Sequence, residues 1–210
     1  METMTGWLFL TRWGNAILLL PLAACLCVGL WVAGDRRVAW RWAVCFGSAV
    51  LLVFATKLAF LGWGLGIRSL DFTGISGHST LAASVLPVFA WWLTQGRRLD
   101  VQRRAVVAAV VLALLVGVSR LLLQTHSISE VIAGLALGNL VAWAVIPRGV
   151  VTRHRYVFRG LVLAALLVAG LVPGVGQSGD AHGLVQTLAL RLSGRSEPYT
   201  RDMLFARRVS

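Results

Sequence analysis

Long apolar runs separated by short polar connections dominate this chain, and their lengths predict membrane-spanning helices. A helix needs roughly 20 predominantly apolar residues to cross a bilayer. Six runs approach that length, and they cover residues 15–33, 42–61, 80–95, 105–123, 128–146 and 158–172. Within the fifth run, Gly134-x-x-x-Gly138 favours close packing against another helix of the same chain. The pattern predicts an all-α, polytopic bundle of about six transmembrane helices in a single membrane-embedded domain over residues 1–210.

Two shorter segments are amphipathic, which is typical of helices that lie on the headgroup layer. Residues 3–13 carry apolar side chains among polar neighbours. Residues 181–192 place three leucines on one helical face (Leu184, Leu188 and Leu192). We therefore expect an interfacial helix at each end of the bundle.

The chain is strongly basic, but its high apolar content indicates a lipid partner and not nucleic acid. The chain is 58% hydrophobic and only 13% charged, so the bilayer is its expected solvent. A net charge of +12 would suggest nucleic-acid binding in a soluble protein. Here the arginines mostly flank apolar runs, where they bind lipid headgroups and set topology. We predict a membrane partner and no nucleic acid; the oligomeric state stays open.

The distribution of arginine predicts the orientation of the bundle. Short cytoplasmic loops are enriched in Lys and Arg, and three connections are basic (Arg36, Arg37 and Arg41; Arg97, Arg98, Arg103 and Arg104; Arg148, Arg153, Arg155 and Arg159). The connections at residues 62–79 and 124–127, and both termini, then face outward, towards the periplasm if the membrane is a bacterial inner membrane. Five arginines of the C-terminal tail oppose this assignment, but charge on a terminal segment counts less than charge in tight loops.

A histidine and an acid begin the fifth apolar run. His126 and Glu130 are four residues apart, so a helix starting near Ser127 places them on adjacent turns. A carboxylate in that position can fix the imidazole tautomer and leave the other ring nitrogen free to attack. An alternative is structural, because Ser127-x-x-Glu130 also spells a capping box. The two interpretations are compatible.

Ser76-Gly77-His78-Ser79 precedes the third apolar run. The glycine permits a tight turn, and the following helix offers free amides and a positive dipole end to an anion. His78 is then a candidate proton donor to a departing oxygen. The alternative is an ordinary helix start with an exposed histidine. The preceding Asp71-Phe72-Thr73-Gly74 is interpreted as a turn.

Three cations share the predicted outer side of the membrane: Lys57, Arg68 and Arg120. Converging on one pocket, they would neutralise a phosphate and the charge that grows during its transfer. For Lys57 the simple alternative is a lysine that snorkels to the interface. Arg120 ends a run directly before the turn that carries His126, which places it beside the candidate nucleophile.

A metal site is the rival interpretation of these residues, with His78, His126 and Glu130 as three ligands. The chain lacks the clustered His-x-x-x-His and the paired carboxylates expected of such a site, so we favour chemistry without a metal. The remaining histidines, His154 and His182, are interpreted as surface residues. The three cysteines lie inside apolar runs without metal-like spacing and are interpreted as small core residues (Cys25, Cys27 and Cys45).

Together these motifs resemble the type 2 phosphatidic acid phosphatase family, related to vanadium-dependent haloperoxidases and glucose-6-phosphatase. That family carries Lys…Arg-Pro, Pro-Ser-Gly-His and Ser-Arg-x5-His-x3-Asp. This chain has Lys57 and Arg68, then Ile75-Ser76-Gly77-His78, then Ser119-Arg120-x5-His126-x3-Glu130, within a catalytic core of about residues 50–140. It departs from the pattern in three ways: Lys57 and Arg68 are eleven residues apart instead of seven with no following proline, Ile75 replaces proline, and Glu130 replaces aspartate.

The resemblance implies a phosphoryl transfer in two steps without metal or cofactor. His126 would attack phosphorus to form a phosphohistidine, Glu130 would orient it, and His78 would protonate the leaving group and then activate water. The phosphate oxygens would be held by Lys57, Ser76, Gly77, Arg120 and, with the weakest match, Arg68. The implied substrate is a membrane lipid phosphate or diphosphate, with undecaprenyl diphosphate, phosphatidylglycerol phosphate and phosphatidic acid all open.

Two other functions remain open from the sequence. A phosphotransferase with the same site would pass the phosphoryl group to another lipid instead of water, because the signatures do not specify the acceptor. A non-enzymatic transport or scaffold protein would use these polar residues to bind an anion or to cap helices. The scaffold hypothesis does not require Lys57, His78, Arg120 and His126 to share one pocket.

Overall fold

The computed structural model describes residues 2–147 and 179–206, and all of its regular elements are helical. In chain order these are α1 (Glu2–Arg12), α2 (Ala16–Val32), α3 (Arg36–Trp63), a short 3-10 helix (Arg68–Leu70), α4 (Gly77–Leu93), α5 (Leu99–Leu122), α6 (Ile128–Val145), α7 (Gly179–Ser193) and α8 (Arg201–Ala206). The predicted run at residues 158–172, the arginines of the third basic connection and His154 lie outside the described residues. The prediction of an all-α membrane bundle is confirmed.

Four helical segments of the described chain are long and apolar enough to cross a bilayer: Gly6–Val32, Arg36–Trp63, Leu99–Leu122 and Ile128–Val145. The first joins most of α1 to α2, and α1 packs against α5. At the other end of the chain, α7 packs against α3. Both segments predicted to lie on the headgroup layer therefore have helical partners within the protein.

Helix α4 forms the centre of the bundle. It packs against α2, α3, α5 and α6, and its residues from Ser79 to Phe89 are buried. The buried hydroxyls are satisfied within the helix: Thr80 Oγ1 donates to the Ser76 carbonyl at 2.9 Å, and Ser84 Oγ donates to the Thr80 carbonyl at 2.8 Å. Such small, internally bonded side chains let neighbouring helices approach α4 closely.

The closest approach is made by two glycines of α6. A Cβ atom added to Gly134 would lie 2.7 Å from the Ser76 carbonyl oxygen, and one added to Gly138 would lie 2.5 Å from the Thr80 carbonyl oxygen. Any side chain at these positions would push α6 away from the backbone of α4. The predicted close packing around Gly134-x-x-x-Gly138 is observed, and it fixes the start of α4 against the start of α6.

Replacing Gly138 with valine is expected to destabilise the protein by about 1–3 kcal/mol, or several degrees in Tm, because the new side chain overpacks the α4 contact. Thermal unfolding of the purified protein in detergent measures this. The matched control is Gly47→Val in α3, where an added Cβ meets nothing within 4 Å. Equal Tm values for the two variants would contradict the packing.

Candidate active site

The predicted site residues lie on elements that meet at one end of the bundle. Lys57 lies near the end of α3, Ser76 and His78 at the start of α4, Arg120 near the end of α5, and His126 directly before α6. Antiparallel neighbours bring the end of one helix beside the start of the next. Residues distant in sequence therefore meet on the side of the bundle opposite its arginine-rich connections.

His126 and Glu130 form a hydrogen-bonded pair. The Nδ1 atom of His126 lies 2.6 Å from Glu130 Oε2, with the glutamate side chain fully buried and the histidine side chain 14% exposed. An ionised carboxylate only accepts hydrogen bonds, so Nδ1 carries the proton and Nε2 keeps its lone pair. The capping box is present as well, with Ser127 Oγ accepting from the Glu130 amide at 3.4 Å. Glu130 therefore makes both sets of contacts considered from the sequence.

The electrostatics keep His126 neutral at pH 7. Burial lowers the pKa of His126 below its ordinary value of 6.5, and the hydrogen bond with Glu130 opposes this shift. The cations of Lys57 and Arg120 lower this pKa further. A neutral imidazole retains the nucleophilic lone pair on Nε2. The same two cations and His126 lie within electrostatic reach of His78, so these four groups are near one another.

The start of α4 forms a corner with features that suit a bound anion. Ser76 occupies the N-cap position without a side-chain cap bond in the described structure, so its side chain does not cover the amides of the first turn. The Lys57 Nζ atom lies 3.9 Å from the position that a Cβ on Gly77 would take. An ammonium group beside free amides and a positive helix dipole is suited to a phosphate.

Arg120 is hydrogen-bonded to a residue of α1, the first helix of the chain. Its Nη1 donates to Thr11 Oγ1 at 2.8 Å, while its buried Nε has no hydrogen-bond partner among the described residues. The connection between α1 and α2 also touches the site, since a Cβ on Gly14 would lie 3.1 Å from His78 Cβ. The sequence does not indicate that residues 3–13 contribute to the site, because nothing local links Thr11 to an arginine 109 positions away.

Arg68 lies in the short 3-10 helix after α3. It is an exposed residue of the 3-10 helix, and its guanidinium carbon lies 6.0 Å from the ring centroid of Phe205 in α8. The wide spacing from Lys57 carries Arg68 beyond the end of α3, onto the connection that follows. The structure therefore brings Lys57, Arg120 and His126 within electrostatic reach of His78, and it places Arg68 on an exposed connection.

Arg201 also lies in this region, although no sequence motif indicates it. Its Nη2 lies 2.9 Å from Glu130 Oε1 and its Nη1 lies 2.9 Å from Asp71 Oδ2. Thr73 joins the group, donating to Glu130 Oε1 from its amide at 2.8 Å and from its hydroxyl at 2.6 Å. The stretch interpreted only as a turn therefore helps to hold the buried carboxylate.

The contacts of Glu130 bear on the metal alternative. Its Oε2 accepts from His126 and from the Ser127 amide, and its Oε1 accepts from Thr73 and from the cation Arg201. A carboxylate whose two oxygens are both engaged by protein donors is suited to orient an imidazole, not to bind a metal ion. In the part of the chain that the structure describes, no three His, Cys, Asp or Glu side chains are grouped to hold a metal ion.

These features define a multi-pass helical membrane protein with a basic, histidine-containing site at one end. Comparison with known proteins identifies the family. The model of the PAP2 superfamily matches residues 64–155, a range that holds every predicted site residue except Lys57. The chain belongs to this superfamily, and the resemblance noted from its motifs is confirmed.

Two relatives extend the comparison. A protein of Klebsiella pneumoniae described as "Uncharacterized 22.5 kDa protein in cps region" is 37% identical over 203 residues, covering 95% of this chain and 97% of the relative. Phosphatidylglycerophosphatase B of Bacillus subtilis (strain 168) is 31% identical over 159 residues, covering 69% of this chain and 72% of the relative. No solved structure matches the chain significantly. The family and the second relative support phosphatase activity.

Proposed function

We propose that this chain is an integral membrane phosphatase that hydrolyses a lipid phosphate or diphosphate through a phosphohistidine intermediate. The observation that carries the proposal is the 2.6 Å contact between His126 Nδ1 and Glu130 Oε2, because it leaves Nε2 of a neutral imidazole free beside Lys57 and Arg120. Similarity to phosphatidylglycerophosphatase B supports a lipid substrate. The shared anion-binding corner favours this enzyme over a scaffold with scattered polar groups.

In the first step, the lone pair of His126 Nε2 attacks phosphorus and the bond from phosphorus to the leaving oxygen breaks. His78 gives its proton to that oxygen. The leaving group is the lipid alcohol when the substrate is a monophosphate, and the lipid monophosphate when the substrate is a diphosphate. Burial and the cations of Arg120 and Lys57 lower the pKa of His78 to about 3. The negative charge of a bound phosphate opposes this shift, and we propose that the substrate thereby brings His78 into the protonated form that the step requires. Lys57, Arg120 and the first amides of α4 stabilise the charge on the transferred group. Glu130 stabilises the phosphorylated imidazolium.

In the second step, water attacks the phosphohistidine and the bond between phosphorus and nitrogen breaks. The neutral His78 accepts a proton from the attacking water, and inorganic phosphate leaves. His126 returns to its neutral form with the proton still on Nδ1. The cycle restores every proton, so the residues of the site suffice for hydrolysis.

The proposed location is the outer face of a bacterial inner membrane. From Arg36 to Lys57, α3 rises about 32 Å at 1.5 Å per residue, close to the thickness of the hydrocarbon core. A basic connection at one end and the site at the other are consistent with a cytoplasmic loop and a periplasmic site. Both relatives are bacterial proteins. At this depth a headgroup can enter the site while its hydrocarbon chain stays in the bilayer.

Phosphate release from a lipid panel tests this function. Purified protein in detergent is given phosphatidylglycerol phosphate, phosphatidic acid and undecaprenyl diphosphate, with glycerol phosphate as a water-soluble control. We expect release from at least one lipid and much slower release from glycerol phosphate. No release from any lipid would contradict hydrolysis. A phosphorylated acceptor lipid formed in place of free phosphate would identify a phosphotransferase instead.

A further inference from the structure

The carboxylate of Glu130 is held from two sides. One oxygen faces His126, while the other accepts from Thr73 and from Arg201, a residue of the C-terminal segment. The glutamate is completely buried, and its contact with Arg201 is an ion pair of 2.9 Å. A buried carboxylate is costly unless charge and hydrogen bonds compensate for the lost water. The distant Arg201 therefore supplies the countercharge on the side away from the imidazole.

We propose that Arg201 is a positioning residue that fixes Glu130, and through it the tautomer and orientation of His126, so that the site is complete only when the C-terminal segment (residues 193–206) is docked. This inference rests on the proposed function, because it assigns Arg201 a part in the reaction of His126. Arg201 acts through the carboxylate and makes no contact with the phosphate.

The geometry of the arginine suits this task. Its Nη1 is bound to Asp71 at 2.9 Å, and its Nη2 reaches both Glu130 Oε1 and Thr73 Oγ1, the latter at 3.3 Å. A planar guanidinium held at both nitrogens has little freedom to turn. Glutamate has one more rotatable bond than the aspartate that the family signature carries at this position. Arg201 and Thr73 restrain that extra bond by fixing the far oxygen.

The C-terminal segment is docked by contacts close to Arg201. The Tyr199 amide donates to the Leu61 carbonyl at 2.9 Å. The Tyr199 ring lies where a side chain on Gly64 would project, since a Cβ added there would be 2.8 Å from Tyr199 Cε1. Gly64 ends α3 with a φ of +67°, a conformation that favours glycine. The end of α3 therefore has a shape that accommodates Tyr199. Because Arg201 is only two residues from Tyr199, this contact holds Arg201 close to Glu130.

Removing the charge of Arg201 has a consequence that a purely structural contact would not have. In the Arg201→Met variant, the negative charge of Glu130 acts on His126 without its opposing cation, so the pKa of His126 should rise. Lys57, Arg120 and His78 still face the imidazole and are unchanged. The acid limb of the pH profile is expected to move to higher pH, and kcat to fall about 10–100-fold, as for other residues that orient a functional side chain. KM should stay within about twofold, because no phosphate contact is lost.

The experiment compares full-length Arg201→Met, Arg201→Lys and the control Arg191→Met, an exposed arginine of the same tail. Steady-state kinetics across pH are measured on the lipid that the wild type hydrolyses, with Tm as a check of folding. We expect the Arg201→Met effects above, partial recovery of kcat in Arg201→Lys, and wild-type behaviour in Arg191→Met. A wild-type kcat and pH profile in Arg201→Met, or a raised KM with unchanged kcat, would overturn the proposal.

A second measurement separates this inference from the proposed function. The imidazole of His126 is titrated by NMR in 13C-histidine-labelled protein without substrate. A raised His126 pKa in Arg201→Met, with no change in Arg191→Met, supports the coupling even if the wild type releases no phosphate. An unchanged pKa refutes the coupling even if the wild type is an active phosphatase.

Discussion

The His126→Ala variant is expected to lose about four to six orders of magnitude in kcat, which brings phosphate release to the limit of detection. The imidazole provides the attacking lone pair, and removing a covalent nucleophile eliminates the pathway instead of slowing one step. Release from the preferred lipid is measured on purified protein at matched concentration. The fold should survive, because Glu130 keeps its contacts with Ser127, Thr73 and Arg201.

The matched control for this variant is His182→Ala, which removes a histidine outside all three signatures. We expect it to keep wild-type activity. The yield from membranes and the Tm are compared for both variants. This comparison distinguishes a loss of folded protein from a loss of catalytic activity. More than a tenth of wild-type activity in His126→Ala would refute the assignment of the nucleophile.

The Glu130→Gln variant is expected to lose about 10³–10⁴-fold in kcat, comparable to amide substitution of a histidine-orienting carboxylate in other enzymes. The amide oxygen would face Thr73 and Arg201, which are donors, so the NH2 group would face His126. Nδ1 would then have to accept a hydrogen bond, and the proton would move to Nε2. The nucleophilic lone pair would be lost while the shape of the side chain is retained. Steady-state phosphate release measures the effect.

The companion variant Glu130→Asp distinguishes the effect of the negative charge from the effect of side-chain length. It restores the residue of the family signature and keeps an acceptor-only carboxylate, but it is one methylene shorter than the side chain now in contact with Arg201. We expect it to retain more activity than Glu130→Gln by at least tenfold. Equal losses in the two variants would argue that Glu130 acts only as a helix cap.

The local part of the site could be predicted from sequence. The four-residue spacing of His126 and Glu130 at a helix start dictates their contact, since neighbouring turns of a helix meet at this separation. Lys57 and Arg120 lie near the ends of their apolar runs, and His78 lies just before the start of its run. Because successive runs cross the membrane in opposite directions, all three could be assigned to the same side of the membrane. The glycines of α6 likewise indicated close packing through their spacing.

The long-range part of the site could not be predicted. Thr11 and Arg201 come from the two ends of the chain, 109 residues from Arg120 and 71 residues from Glu130. Neither residue belongs to a motif. A threonine in an amphipathic segment and an arginine in a polar tail are both equally compatible with a free surface. Tertiary packing alone brings them to the site. The same limit applies to Arg68, whose position depends on how the connection after α3 folds.

A phosphoryl group that passes through His126 leaves a covalent phosphohistidine, which can be trapped during turnover. Wild-type protein is mixed with a lipid substrate labelled with 32P on the transferred phosphate, quenched within milliseconds, digested and mapped. We expect a label that is stable to base and labile to acid, located on the peptide of His126 and missing from His126→Ala. Turnover of the labelled lipid with the label on another residue, or with the same labelling in His126→Ala, would contradict transfer through His126.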